Sequence, residues 1–127
     1  MKLLRAAFLL SAAFAIGACT DPSVSISAQG LTKLRYMCAD HLPIDYRSRS
    51  RPLPVLAQVW LQKNLVDATQ DWRTSFVSRA PGRCMIFNDS MQIHVDSGSV
   101  MLRWPLQRWV FDRLASVNTG ELQSFLE

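Results

Sequence analysis

Apolar residues recur along this chain at spacings that separate helix from strand. Leu31, Leu34, Cys38 and Leu42 fall three or four apart, which predicts a short helix with Cys38 on its apolar face, ended by Pro43. Pro43 to Pro54 reads as loop. Leu61, Leu65, Ala68, Trp72 and Phe76 then follow at spacings of 4, 3, 4 and 4, with Gln62, Lys63, Asp67, Gln70 and Arg73 on the other side. That pattern predicts one long helix, opened near Pro54 and closed by Pro81-Gly82.

Past Gly82 the period drops to two. A two-residue loop at Ser97-Gly98 sets Val95 against Val100, Ile93 against Leu102 and Met91 against Trp104, with His94, Gln92 and Arg103 on the opposite side. A second tight turn at Asn88-Asp89 sets Ile86 against Met91 and Cys84 against Ile93, on the same apolar side. Pro105 ends the last strand and opens a helix with the stripe Leu106, Trp109, Val110, Leu114 and Val117. A final short helix carries Leu122, Phe125 and Leu126. The expected fold class is α+β, a small antiparallel three-stranded meander whose apolar face is covered by helices in a two-layer domain over residues 31–127. In that arrangement the helix bearing Cys38 packs on the strand bearing Cys84.

The start of the chain has a different character. Lys2 and Arg5 precede an uncharged stretch from Ala6 to Ala18. That is the layout of an export signal, too short to cross about 30 Å of hydrocarbon comfortably. The stretch ends in Ile16-Gly17-Ala18-Cys19, which resembles the lipobox of bacterial lipoproteins. The resemblance implies cleavage before Cys19, diacylglycerol on its sulfur, a fatty acyl group such as palmitate on its new amino group, and a membrane anchor made of lipid. Several acyl chains hold a protein far more firmly than one. Residues 1–18 are then the signal peptide. Residues 19–30, rich in Ser, Asp, Gln and Gly without periodicity, are a flexible tether. Thr20, where an Asp would favour retention at the inner membrane, points to the periplasmic face of the outer membrane.

Charge narrows the partners. The chain carries 14 Lys+Arg against 10 Asp+Glu. Without Lys2 and Arg5 the balance is 12 to 10, a net charge of +2, too even for a nucleic-acid partner. With Cys19 lipidated, Cys38 and Cys84 remain, and in an oxidising compartment they are expected to pair. Arg47, Arg49 and Arg51 alternate with serine in the loop, as a solvated surface or as a contact for an anion or an acidic partner. Trp60 lies off the main helical stripe with Val59 and Val66, which suggests a second apolar face fit for a partner protein.

Catalytic signals are thin. Cys38, His41, Cys84 and His94 can be drawn as a zinc site, but their spacing and the oxidising compartment disfavour it, so no metal and no cofactor is expected. His94, Asp96, Ser97 and Ser99 suggest a hydrolase, yet the serines belong to a turn and no nucleophile elbow is present. The expectation is a non-enzymatic accessory or binding protein of the envelope, with a protein partner there. An alternative comes from Tyr36-x-Cys38 and the hairpin from Gln92 to Leu102, which look like parts of membrane-bound C-type lysozyme inhibitors. That family is an all-β barrel. The sequence departs from it at Pro81-Gly82-Arg83-Cys84 and in its expected helices, so no inhibitory residue is carried across.

Overall fold

The computed structural model describes residues 26–75, 83–107 and 111–127. Its centre is the hairpin of β5 (Gln92–Asp96) and β6 (Ser99–Arg103), in which Val95 pairs with Val100 and Ile93 with Leu102 as the alternation predicts. The ladder ends at Gln92 opposite Arg103, so Met91 and Trp104 are not a ladder pair. Gly98 carries the turn at φ +80°. A Cβ there meets nothing within 4 Å, so backbone strain alone opposes a side chain. Gly98→Ala is expected to cost about 1–2 kcal/mol in urea unfolding, the penalty of a left-handed L-residue.

Strand β4 (Cys84–Phe87) joins β5 through a turn one residue later than Asn88-Asp89. Asn88 donates its backbone N–H to Met91 O at 3.1 Å, and the loop is Asp89-Ser90. Moving the turn by one residue slides the register by two, so Ile86 meets Ile93 and Cys84 meets Val95. A slip of two keeps every side chain on its expected face.

The rest of the sheet departs from expectation. Among the described residues it has seven strands, all antiparallel, in the order β2 (Arg51–Pro52), β1 (Arg35–Cys38), β4, β5, β6, β7 (Asp112–Ser116) and β3 (Arg73–Ser75), and is accompanied by three short helices, α1 (Tyr46–Arg49), α2 (Val55–Leu61) and α3 (Gly120–Leu126). The three-stranded, two-layer α+β arrangement is therefore wrong, because three segments assigned to helix supply strands.

Residues 31–42 are not a helix. A 3-10 turn at Ala28–Leu31 leads into β1 (Arg35–Cys38), where Cys38 pairs with Cys84. Spacings of three and four put Leu31 and Leu34 in the core in either conformation, and the open edge of β4 decides for strand. The loop 43–54 holds α1 and the two-residue β2 (Arg51–Pro52), which pairs with β1.

The long helix stops early. Helix α2 passes into a π-helical stretch at Gln62–Asp67 and ends at Ala68, whose backbone is extended. There Gln62 Nε2 bonds Asp67 Oδ1 at 3.0 Å and Gln70 Nε2 bonds Asn64 O at 2.9 Å, side-chain bonds that compete with helical ones. Beyond the break, β3 (Arg73–Ser75) pairs with β7 (Asp112–Ser116). Strand β7 lies where the stripe Leu106 to Val117 predicted helix. Val100 and Leu102 on β6 are fully buried, and pairing with β7 satisfies the β6 backbone beside them. Phe76, Trp109 and Val110 lie outside the described residues. The final helix is where expected, as α3.

The main core lies on one face of the sheet. Cys84, Ile86, Ile93, Val95, Val100 and Leu102 meet Trp60 and Leu61 of α2 and Leu122 and Leu126 of α3. Ile26 and Leu31 join the same cluster, so the stretch 26–30, expected as tether, already belongs to the packed chain.

Candidate functional site

Cys38 and Cys84 form a disulfide between neighbouring strands. Cys84 is buried and Cys38 half-buried. Among the described residues no group of His, Cys, Asp and Glu is placed to hold a metal ion.

The three arginines do not act together. Arg49 and Arg51 line a recess of about 430 Å³ with Tyr36, Met37, Cys38 and Leu126, along strand β1. Arg47 lies elsewhere, in a recess of about 320 Å³ with Lys33, Arg35, Phe87 and Asn88. Its guanidinium stands over the rings of Tyr46 and Phe87, at 5.6 and 5.9 Å from their centroids. Its ion pair with Asp89 is 3.5 Å long and largely exposed, worth little in water. Arg35 is fixed through Nε to Ser50 Oγ at 2.8 Å and Nη2 to Ser50 O at 2.7 Å. Sequence reasoning missed Lys33 and Arg35. Only the pairing of β1 with β4 brings them to Arg47.

This basic recess lies beside Gly30 and Thr32, a few residues into the packed chain. Asn88 Nδ2 donates to Gly30 O at 2.9 Å and to Thr32 O at 3.1 Å, tying those two residues to the recess wall. Three residues before Arg47, Ile44 is fully exposed on the turn that leads into α1.

A second surface lies on α2. Trp60 is 6% exposed, most of it packed in the core and one edge lining the groove beside Val59. The exposed apolar residues are Val55, Leu56 and Val59, on the outer side of the same helix, and Leu56 and Val59 border a groove with Phe125 of α3.

His94 is buried at 1% exposure on the sheet face opposite the main core. Its Nε2 is 3.1 Å from Gln92 Oε1, and the amide oxygen accepts, so Nε2 carries the proton. Nδ1 has no hydrogen-bond partner. Neither ring nitrogen bonds Asp96, so the base-and-acid pair of a hydrolase is not assembled here. Burial lowers the imidazole pKa from 6.5 to about 4, with Arg103 adding to the effect and Asp112 opposing it. Those two are themselves paired, Arg103 Nε and Nη2 reaching the Asp112 carboxylate at 2.9–3.2 Å.

One polar group organises the far end of the sheet. Thr119, fully buried, accepts from Gly98 N at 3.2 Å and donates to Asp96 O, so the β5–β6 turn is held by the residue just before α3. No protein-family model, curated protein or solved structure matches this chain.

Proposed function

We propose that this chain is a lipid-anchored protein of the bacterial cell envelope that works by contact rather than by catalysis, with Cys19 carrying the lipid and the domain on the periplasmic side, at the outer membrane in preference to the inner. The observation that carries this reading is where the tether meets the fold. From Cys19 to Ile26 is seven residue steps (26 minus 19), a reach of at most about 25 Å. Gly30 and Thr32, a few residues after the packed chain begins at Ile26, are tied through Asn88 to the recess of Lys33, Arg35 and Arg47, and Ile44 is exposed three residues before Arg47. A short leash that delivers a basic recess and an apolar tip toward anionic headgroups suits a domain held close to a bilayer. The ridge Val55, Leu56 and Val59 is the surface for the envelope partner, because a cluster of exposed aliphatic side chains on one helix is what a protein contact buries.

Metabolic labelling with a palmitate analogue, followed by membrane fractionation, tests the anchor. Label on the wild type and none on Cys19→Ser is the expected result, and an unlabelled wild type overturns it. For the contact surface, a photo-crosslinking residue at position 59 is expected to trap a discrete envelope protein, and Leu56→Asp is expected to abolish the adduct with no loss of stability. A second reading, lysozyme inhibition, is favoured by one observation, the seven-stranded antiparallel sheet with its Gln92–Leu102 hairpin. Clearing of a lysozyme-treated cell-wall suspension, unchanged by added protein, removes it.

A further inference from the structure

The sheet face opposite the main core carries an unusual row. Directly opposed residues of an antiparallel ladder share a face. The registers therefore set Met37 beside Met85, Met85 beside His94, and His94 beside Met101, across four consecutive strands. Three of the five methionines of the chain stand in this line. Met85 and Met101 are 1% and 4% exposed, and Met37, on β1, is half-buried.

Two features set the row apart from an apolar packing layer. A histidine occupies its middle with one ring nitrogen, Nδ1, buried and unpartnered. An orphan acceptor of this kind is destabilising unless something uses it. The other nitrogen donates to Gln92 Oε1, which fixes the tautomer so that the lone pair sits on Nδ1. Metal-binding imidazoles have this outer arrangement, one nitrogen ligating and the other donating to an oxygen.

We propose that Met85, His94 and Met101 form a binding site for a soft monovalent cation, Cu(I), through the two thioether sulfurs and His94 Nδ1, with Met37 at the more exposed end of the row as the point of access. The ligand chemistry selects the ion. Two soft thioethers beside one neutral imidazole suit Cu(I) and its analogue Ag(I), whereas hard divalent ions prefer oxygen ligands and zinc prefers several imidazoles, thiolates or carboxylates. Asp112, paired with Arg103 at 2.9 Å, offsets part of the positive charge beside the site. Burial also keeps the imidazole unprotonated at neutral pH, so binding displaces no proton. The site is independent of lipidation.

The test uses the full chain with Cys19→Ser, which removes the thiol outside the disulfide, and carbon-13 methyl-labelled methionine. Silver nitrate is titrated in chloride-free buffer. Saturable one-to-one binding is expected, with the methyl signals of Met85 and Met101 moving together while Met91, which lies in the β4–β5 turn, stays still. Met85→Leu with Met101→Leu keeps side-chain volume, so the fold is retained, and binding is expected to be lost. Gln92→Leu, which frees the imidazole, is expected to weaken binding about tenfold or more. Silver that shifts Met91 as much as Met85, or binds equally to the double leucine variant, overturns the site. The unfolding midpoint of each variant, measured without silver, shows that any loss of binding is not a loss of fold.

Discussion

Replacing the bridged pair together, Cys38→Ala with Cys84→Ala, will lower the free energy of unfolding by about 4 kcal/mol, because the bridge closes a loop over a sequence separation of 46. The chain-entropy model sets that size, and the position of the bridge is what makes the loss visible. Strand β1 has four residues and its outer neighbour β2 only two, so little backbone pairing holds this edge of the sheet. Arg35 and Ser50, which link β1 to the segment before β2, depend on the same edge. Loss of the bridge therefore frees both basic recesses, not the sulfur atoms alone. Urea unfolding of the wild type with and without a reducing agent, beside the double alanine variant, measures the effect. The reduced and substituted proteins are expected to agree within about 1 kcal/mol, the size of ordinary core adjustments. A loss of less than about 1 kcal/mol in both would show that β1 stays on β4 without the bridge.

What could be read from the sequence follows from which forces are local. The β5–β6 hairpin was legible at Val95–Val100 and Ile93–Leu102, because Ser97-Gly98 supplies its own turn and alternation fixes the facing residues, while the third expected pair, Met91 with Trp104, lies past the end of the ladder. Helix α3 was legible because Leu122 and Leu126 fall on one turn-spaced face. Strands β1, β3 and β7 were not, since each is short and its conformation is decided by an open neighbouring edge far away in sequence. Spacings of three and four are ambiguous in such segments. Leu31 and Leu34 are core residues whether or not a helix joins them. Trp72 packs against the core without belonging to α2. The pairing of Cys38 with Cys84 was read correctly from compartment and parity, although the element assigned to Cys38 was wrong. Of the candidate surfaces, Arg47 was visible, but Lys33 and Arg35 were not, because only the β1–β4 register makes them neighbours. The methionine row was invisible for the same reason. Its members come from four strands, and no local spacing relates them.

His94 makes stability depend on pH in a definite direction. The folded imidazole has its pKa lowered to about 4, against 6.5 in the unfolded chain. Between those values the unfolded chain binds a proton that the folded protein refuses, so acid favours unfolding. The contribution of the neutral histidine is complete above pH 6.5, declines as pH falls through the window down to about 4, and changes no further below it. The whole interval is worth about 3 kcal/mol at 1.36 kcal/mol for each pH unit. His94→Met, which places an apolar side chain of similar length between Met85 and Met101, is expected to remove this part of the slope. Arg103→Ala separates the causes. It deletes the cation that helps to hold the imidazole neutral and leaves Asp112, which favours the charged form, so the titration should move upward and the sensitive window should narrow from its acid side. Nuclear magnetic resonance of the His94 ring across pH 3.5–7.5 follows this directly. An imidazole that titrates near 6.5 in the folded wild type would mean that water reaches it, and with that the pH slope assigned to burial disappears.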